Sequence, residues 1–83
     1  MQSNPHHPNA PKALSERQAQ VLQLLAEGLG ADEIAGQLQI MPATVRNHIA
    51  TMITKLGAHS QLEAVLTAFR LGLVNLPTSF RGE

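Results

Sequence analysis

The side chains with the most to offer chemically lie in the stretch PATVRNHIATMITK, where Arg46 and Asn47 stand side by side. A guanidinium presents a flat fork of N–H donors, and a carboxamide presents a donor beside an acceptor. Arg46 can therefore donate a pair of hydrogen bonds to guanine O6 and N7, and Asn47 can pair with adenine N6 and N7, each good bidentate contact discriminating by about 1 to 3 kcal/mol. Ala43 and Ala50 share their helical face and offer a methyl, which suits a thymine methyl. Thr44 lies near a helix start, where its hydroxyl and the neighbouring amides either hold a phosphate or cap the helix. Lys55 suits a phosphate and equally the negative end of a helix dipole.

Other chemistries lack their parts. No pair of acids, no nucleophile with a base and no glycine-rich phosphate loop stands at workable spacing, so no enzyme is expected. The absence of cysteine excludes a disulfide framework and a thiolate zinc site. His6 and His7 are adjacent in a proline-rich stretch and read as a solvated tail, not a metal site. Neither a metal nor another cofactor is expected.

To present Arg46 and Asn47 together, the segment around them must be a helix with one face buried. Pro42 suits its first position, Val45, Ile49, Met52, Ile53 and Leu56 recur at helical spacing, and Gly57 closes it. Ala43, Arg46, Asn47, Ala50 and Thr54 then face outward. The surrounding sequence predicts three more helices. Ser15 and Gln18 form a capping box for a helix over 16–27 that buries Val21, Leu22 and Leu25 and ends at Gly28. A second helix covers 31–38, with Asp32 and Glu33 at its positive dipole end and Ile34, Ala35 and Leu38 inward. After the third, 42–56, a fourth over 60–71 opens with a second capping box from Ser60 and Glu63 and ends at Gly72. The fold expected is an all-α, compact four-helix module. Its second and third helices, joined by a short turn, make a helix-turn-helix.

Length and charge agree with one small domain over 14–76, flanked by unstructured tails at 1–13 and 77–83. Hydrophobic residues form 43% of the 83, yet Phe69 and Phe80 are the only aromatics, so the core must be aliphatic. No apolar run is long enough to span a membrane and no signal peptide is visible, so the chain reads as soluble and cytoplasmic. The net charge is zero, whereas phosphate-binding domains ordinarily carry surplus Lys and Arg. Its distribution is uneven: residues 16–33 hold Glu16, Glu27, Asp32 and Glu33 against Arg17, while 34–62 hold Arg46 and Lys55, with His48 and His59, and no acid.

The run from Leu14 to Gly28, LSERQAQVLQLLAEG, resembles the opening of the LuxR-type domain. The resemblance continues through Glu33-Ile34-Ala35, Leu38, Ile40, Thr44-Val45-Arg46-Asn47-His48, Lys55-Leu56-Gly57, Ser60, Glu63-Ala64-Val65 and Arg70-Leu71-Gly72-Leu73-Val74, covering about 14–74. It implies the output domain of a bacterial transcription regulator, with double-stranded DNA as partner and the third helix in the major groove. Arg46, Asn47, Ala43 and Ala50 would then face bases, and Thr44, His48 and Lys55 phosphates, the matching histidine of the family approaching the DNA backbone; His48 stands at the border of the apolar face, where a packed histidine is the other reading. The fourth helix is similar to the surface through which such domains pair as a homodimer, which assigns Val65, Leu66, Phe69 and Leu73 either to that interface or to the core. An upstream sensor or receiver domain is the usual family companion, and the chain reads equally as a free-standing regulator or as one part of a longer protein.

Some positions depart from the family. Ala50 replaces a basic or polar residue that reaches the groove, Met41 replaces the Ser or Thr that caps the third helix, and Gly30 stands at the comparable start of the second. The missing charge at Ala50 weakens attraction to phosphates. Two alternatives stay open at this point: a sigma-factor region that reads a promoter element and contacts RNA polymerase, and a LuxR-type domain that acts by pairing with a regulator protein.

Overall fold

Helix boundaries follow from local capping chemistry, and they fall within a residue of the spans the sequence predicts. The computed structural model describes residues 14–75; the expected tails, with His6 and His7, lie outside them. Four helices succeed one another: α1 (Glu16–Ala26), α2 (Ala31–Leu38), α3 (Pro42–Lys55) and α4 (Gln61–Arg70). No strand occurs among the described residues. None of these helices is long and apolar enough to cross a membrane.

At the start of α1 the capping box is complete. Ser15 Oγ accepts from the Gln18 amide and Gln18 Oε1 accepts from the Ser15 amide, both at 3.0 Å. In α2 the Glu33 carboxylate accepts from the Gly30 amide at 2.7 Å, supplying the half of the box that glycine leaves possible. The box expected at α4 is only half formed. Ser60 Oγ accepts from the Glu63 amide at 3.0 Å, but the Glu63 carboxylate takes the His59 amide at 2.6 Å in place of the Ser60 amide. Backbone geometry accounts for the difference: Ser60 sits at φ −158°, against −77° and −87° for Ser15 and Gly30, and turns the preceding amide toward the carboxylate.

The helix ends share one device. Gly57 adopts φ +67°, which lets the Gly57 amide donate to Thr54 O at 3.1 Å and the Ala58 amide to Ile53 O at 3.0 Å. These paired bonds are a Schellman cap, and the same pattern closes α1 at Gly28 and α4 at Gly72. At the end of α2 the left-handed position falls to Gln39, at φ +59°, a conformation that costs a side chain about 1 kcal/mol relative to glycine. The sequence gives no sign of this, because Gln is an ordinary helix residue.

Packing centres on α3, which touches the other three helices. Val21, Leu22 and Leu25 from α1, Ile34 and Ala35 from α2, and Val45, Ile49 and Met52 from α3 form the buried core with Ala68 and Val74. Full burial of each of Leu22, Ile34 and Met52 contributes about 1.5 to 3 kcal/mol. In α4 the core-facing residues are the small Ala64 and Ala68, while Val65 and Phe69 lie half-buried at the margin and Leu62 and Leu66 are exposed, as is Leu71 just past its end. Past α4, Val74 re-enters the core, and the Gln23 carboxamide exchanges two hydrogen bonds of 3.1 Å with the Asn75 backbone, fastening the end of the domain to α1.

Candidate nucleic-acid interface

Because Val45, Ile49 and Met52 anchor one side of α3, the opposite side is fixed toward solvent. Ala43, Thr44, Arg46, Asn47, Ala50, Thr51 and Thr54 are all exposed along it. This brings together the four residues expected to face bases and adds Thr51, which helical spacing from Asn47 and Thr44 could have indicated. Thr54 Oγ1 folds back to donate to Ala50 O at 3.3 Å.

Arg46 extends from this stripe with its side chain 62% exposed, and its Nη1 lies 3.8 Å from Asp32 Oδ1 at the start of α2. An exposed ion pair of this kind contributes about 0 to 1 kcal/mol, too little to withhold the guanidinium from a stronger partner. Spacing along the chain assigns Asp32 only to a helix dipole; the contact depends on how α2 and α3 cross. The Asn47 carboxamide has no partner among the described residues.

At the head of α3, Thr44 is exposed and its amide donates to Met41 O at 2.9 Å. Met41 supplies no side-chain cap and is itself 68% exposed. His48 is half-buried at the border of the apolar face. Lys55 is held within the fold: its Nζ donates to Gln18 Oε1 at 3.1 Å, so a buried carboxamide ties the last turn of α3 to the first turn of α1. The sequence presents Gln18 as a cap alone.

On the far side, Val65, Leu66 and Phe69 line an apolar groove of about 410 Å³ with Leu25, Ala26, Gln61 and Leu62. Leu73 is not among its walls and packs against the core, as Val65 and Phe69 also do in part. Leu62, 68% exposed, is a groove residue the sequence reading missed, because it lies in the first turn ahead of the apolar pattern. Beside the groove, the His59 amide and then the His59 ring, at 3.1 Å, hold the Glu63 carboxyl below its ordinary value of 4.5. No group of His, Asp or Glu able to hold a metal ion occurs among the described residues.

Comparison with known proteins assigns this arrangement. Residues 12–68 match the model of the family described as bacterial regulatory proteins, luxR family. The spore germination protein GerE of Bacillus subtilis is 38% identical over 63 residues, which are 76% of this chain and 85% of GerE. The response regulator UvrY of Escherichia coli K12 is 36% identical over 78 residues, 93% of this chain but only 36% of UvrY, so the chain spans about a third of that regulator. Among solved structures, the transcription factor GerE superposes with a TM-score of 0.74 at 39% identity, covering 77% of this chain and 96% of GerE. Vibrio cholerae VqmA, whose structure is described as that of a dimer in the absence of target DNA, gives a TM-score of 0.68 at 30% identity over 87% of this chain and 34% of VqmA. The chain thus belongs to the LuxR family and comprises its helix-turn-helix DNA-binding domain, that of a transcription regulator and not of an enzyme.

Proposed function

We propose that the domain binds DNA sequence-specifically with α3 in the major groove, Arg46 and Asn47 reading base edges and Ala43 and Ala50 meeting them through methyl contacts. The observation that carries this reading is the outward stripe of α3, where both hydrogen-bonding forks stand exposed in the first turns of a helix whose other face is locked into the core. Thr44 and His48 then lie where phosphates run, and Lys55 reaches one by exchanging its bond to Gln18. With so few cations, one domain binds feebly. A homodimer through Val65, Leu66 and Phe69 of α4, with Leu73 at the edge, supplies the second half-site. The share of UvrY covered suits an output domain under a receiver, working in the bacterial cytoplasm.

Selection from random duplexes tests this. The purified chain is expected to enrich a short motif, and Arg46→Ala to abolish the enrichment while leaving the circular dichroism spectrum unchanged. Enrichment that survives Arg46→Ala would remove Arg46 from the reading. No enrichment at low salt would favour pairing with a larger regulator, a role the zero net charge also suits.

A further inference from the structure

We propose that Asp32 is a positioning and discriminating residue of the DNA-reading face, whose carboxylate pins the Arg46 guanidinium and cancels its attraction for phosphates at large. The inference rests on the reading of α3 as the base-reading helix and deepens it. Its first support is the separation itself. At 3.8 Å the charges attract, but the gap exceeds a hydrogen bond, so the guanidinium donors remain unspent. Asp32 restrains Arg46 without occupying the fork that guanine would need.

A second observation is that α2 does not require Asp32 as its cap. Glu33 already takes the Gly30 amide at 2.7 Å, whereas Asp32 is 86% exposed and has Arg46 as its partner among the described residues. The two positions are held at that distance by the core, since Ile34 and Ala35 of α2 are buried with Val45 and Ile49 of α3.

The third support is a difference in range. Arg46 is the one Lys or Arg on the exposed stripe between Ala43 and Thr54. A lone cation draws any phosphate over about a Debye length, roughly 8 to 10 Å at ordinary salt, whereas a cation beside an anion presents only a dipole at that distance. Attraction to phosphate carries no sequence information, and direct contact with a base edge does. Asp32 therefore removes the indiscriminate part of Arg46's affinity and leaves the directional part, while its own charge repels the backbone of any duplex that docks without a guanine in place.

Asp32→Asn, nearly isosteric and neutral, tests this in the full chain by fluorescence anisotropy on the enriched duplex and a scrambled one. Lowering salt to about 50 mM, the variant should bind the scrambled duplex about three- to tenfold more tightly than the wild type, with a salt slope steeper by about one ion. The enriched duplex should gain less, so that the ratio between the two falls at least about threefold, and Asp32→Glu should restore it. Without DNA, the Arg46 Nε–H should show a lower NMR order parameter in Asp32→Asn. A merely structural role would move the melting temperature and leave the ratio and the slope alone. Equal gains on both duplexes, or an unchanged ratio, would overturn the proposal. If the wild type prefers no sequence, the base-reading role fails and this proposal fails with it; a wild type that does prefer a sequence, with an unchanged ratio in Asp32→Asn, overturns the role of Asp32 alone.

Discussion

Replacing Gln18 by alanine should destabilise the domain by about 2 to 3 kcal/mol, far more than a surface glutamine would. Gln18 is 8% exposed, and its Oε1 accepts from the Ser15 amide at 3.0 Å and from Lys55 Nζ at 3.1 Å. Losing the first bond frees an amide that water can reach, which costs about 0.5 to 1 kcal/mol. Losing the second removes an acceptor from an ammonium; such bonds contribute about 1.5 to 3 kcal/mol, and the half-buried Lys55 falls at or below the lower end because it can turn to solvent. The buried methylenes add about 0.8 kcal/mol each where no solvent replaces them. For a domain of this length the loss corresponds to a fall in Tm of about 10 to 20 °C, read by circular dichroism or as a urea midpoint. Gln18→Met keeps the volume and loses the acceptor, so it should retain most of the effect, about 1.5 to 2.5 kcal/mol. A change below about 0.5 kcal/mol in Gln18→Ala would refute the strut between α1 and α3.

Other consequences are open to measurement. Gln39→Gly should raise stability by about 0.5 to 1 kcal/mol by relieving the left-handed backbone at the end of α2, and a lower Tm would show that the Gln39 side chain contributes a compensating contact. The depressed Glu63 carboxyl stabilises the fold fully above its ordinary value of 4.5, and this contribution is lost as pH falls through the lower folded value. The stability gap between wild type and Glu63→Gln should accordingly narrow on acidification, and a gap that widened would reverse the sign of the linkage. Leu66→Asp, at a half-exposed groove position, should leave a single half-site bound as before and weaken paired half-sites by at least about tenfold. Equal loss on both would locate Leu66 in the core or at the DNA instead of at a dimer seam.

Much of the architecture is legible locally because most boundaries are written in neighbouring residues, the end of α2 at Gln39 being the exception. Ser15 with Gln18 starts α1, Pro42 starts α3, and Gly28, Gly57 and Gly72 mark ends. The outward placement of Arg46 and Asn47 follows from period alone once Val45, Ile49 and Met52 are set inward. What escaped the sequence reading depends on tertiary geometry. The Asp32–Arg46 and Gln18–Lys55 pairs join different helices, so spacing along the chain carries no trace of them. Helix α4 is ambiguous for another reason: apolar residues occupy more than one of its faces, and the small Ala64 and Ala68 take the core because they admit the closest approach, which leaves larger side chains for the groove.

The central claim, that Arg46 of α3 reads a guanine, is tested most directly by replacing each guanine of the enriched duplex with 7-deazaguanine, which deletes the N7 acceptor and leaves the base pair intact. Wild-type affinity should fall about 5- to 20-fold at one position, and Arg46→Ala should be indifferent to that same substitution, because the two changes remove one contact. Equal losses in wild type and Arg46→Ala, or no sensitive position at all, would contradict the assignment.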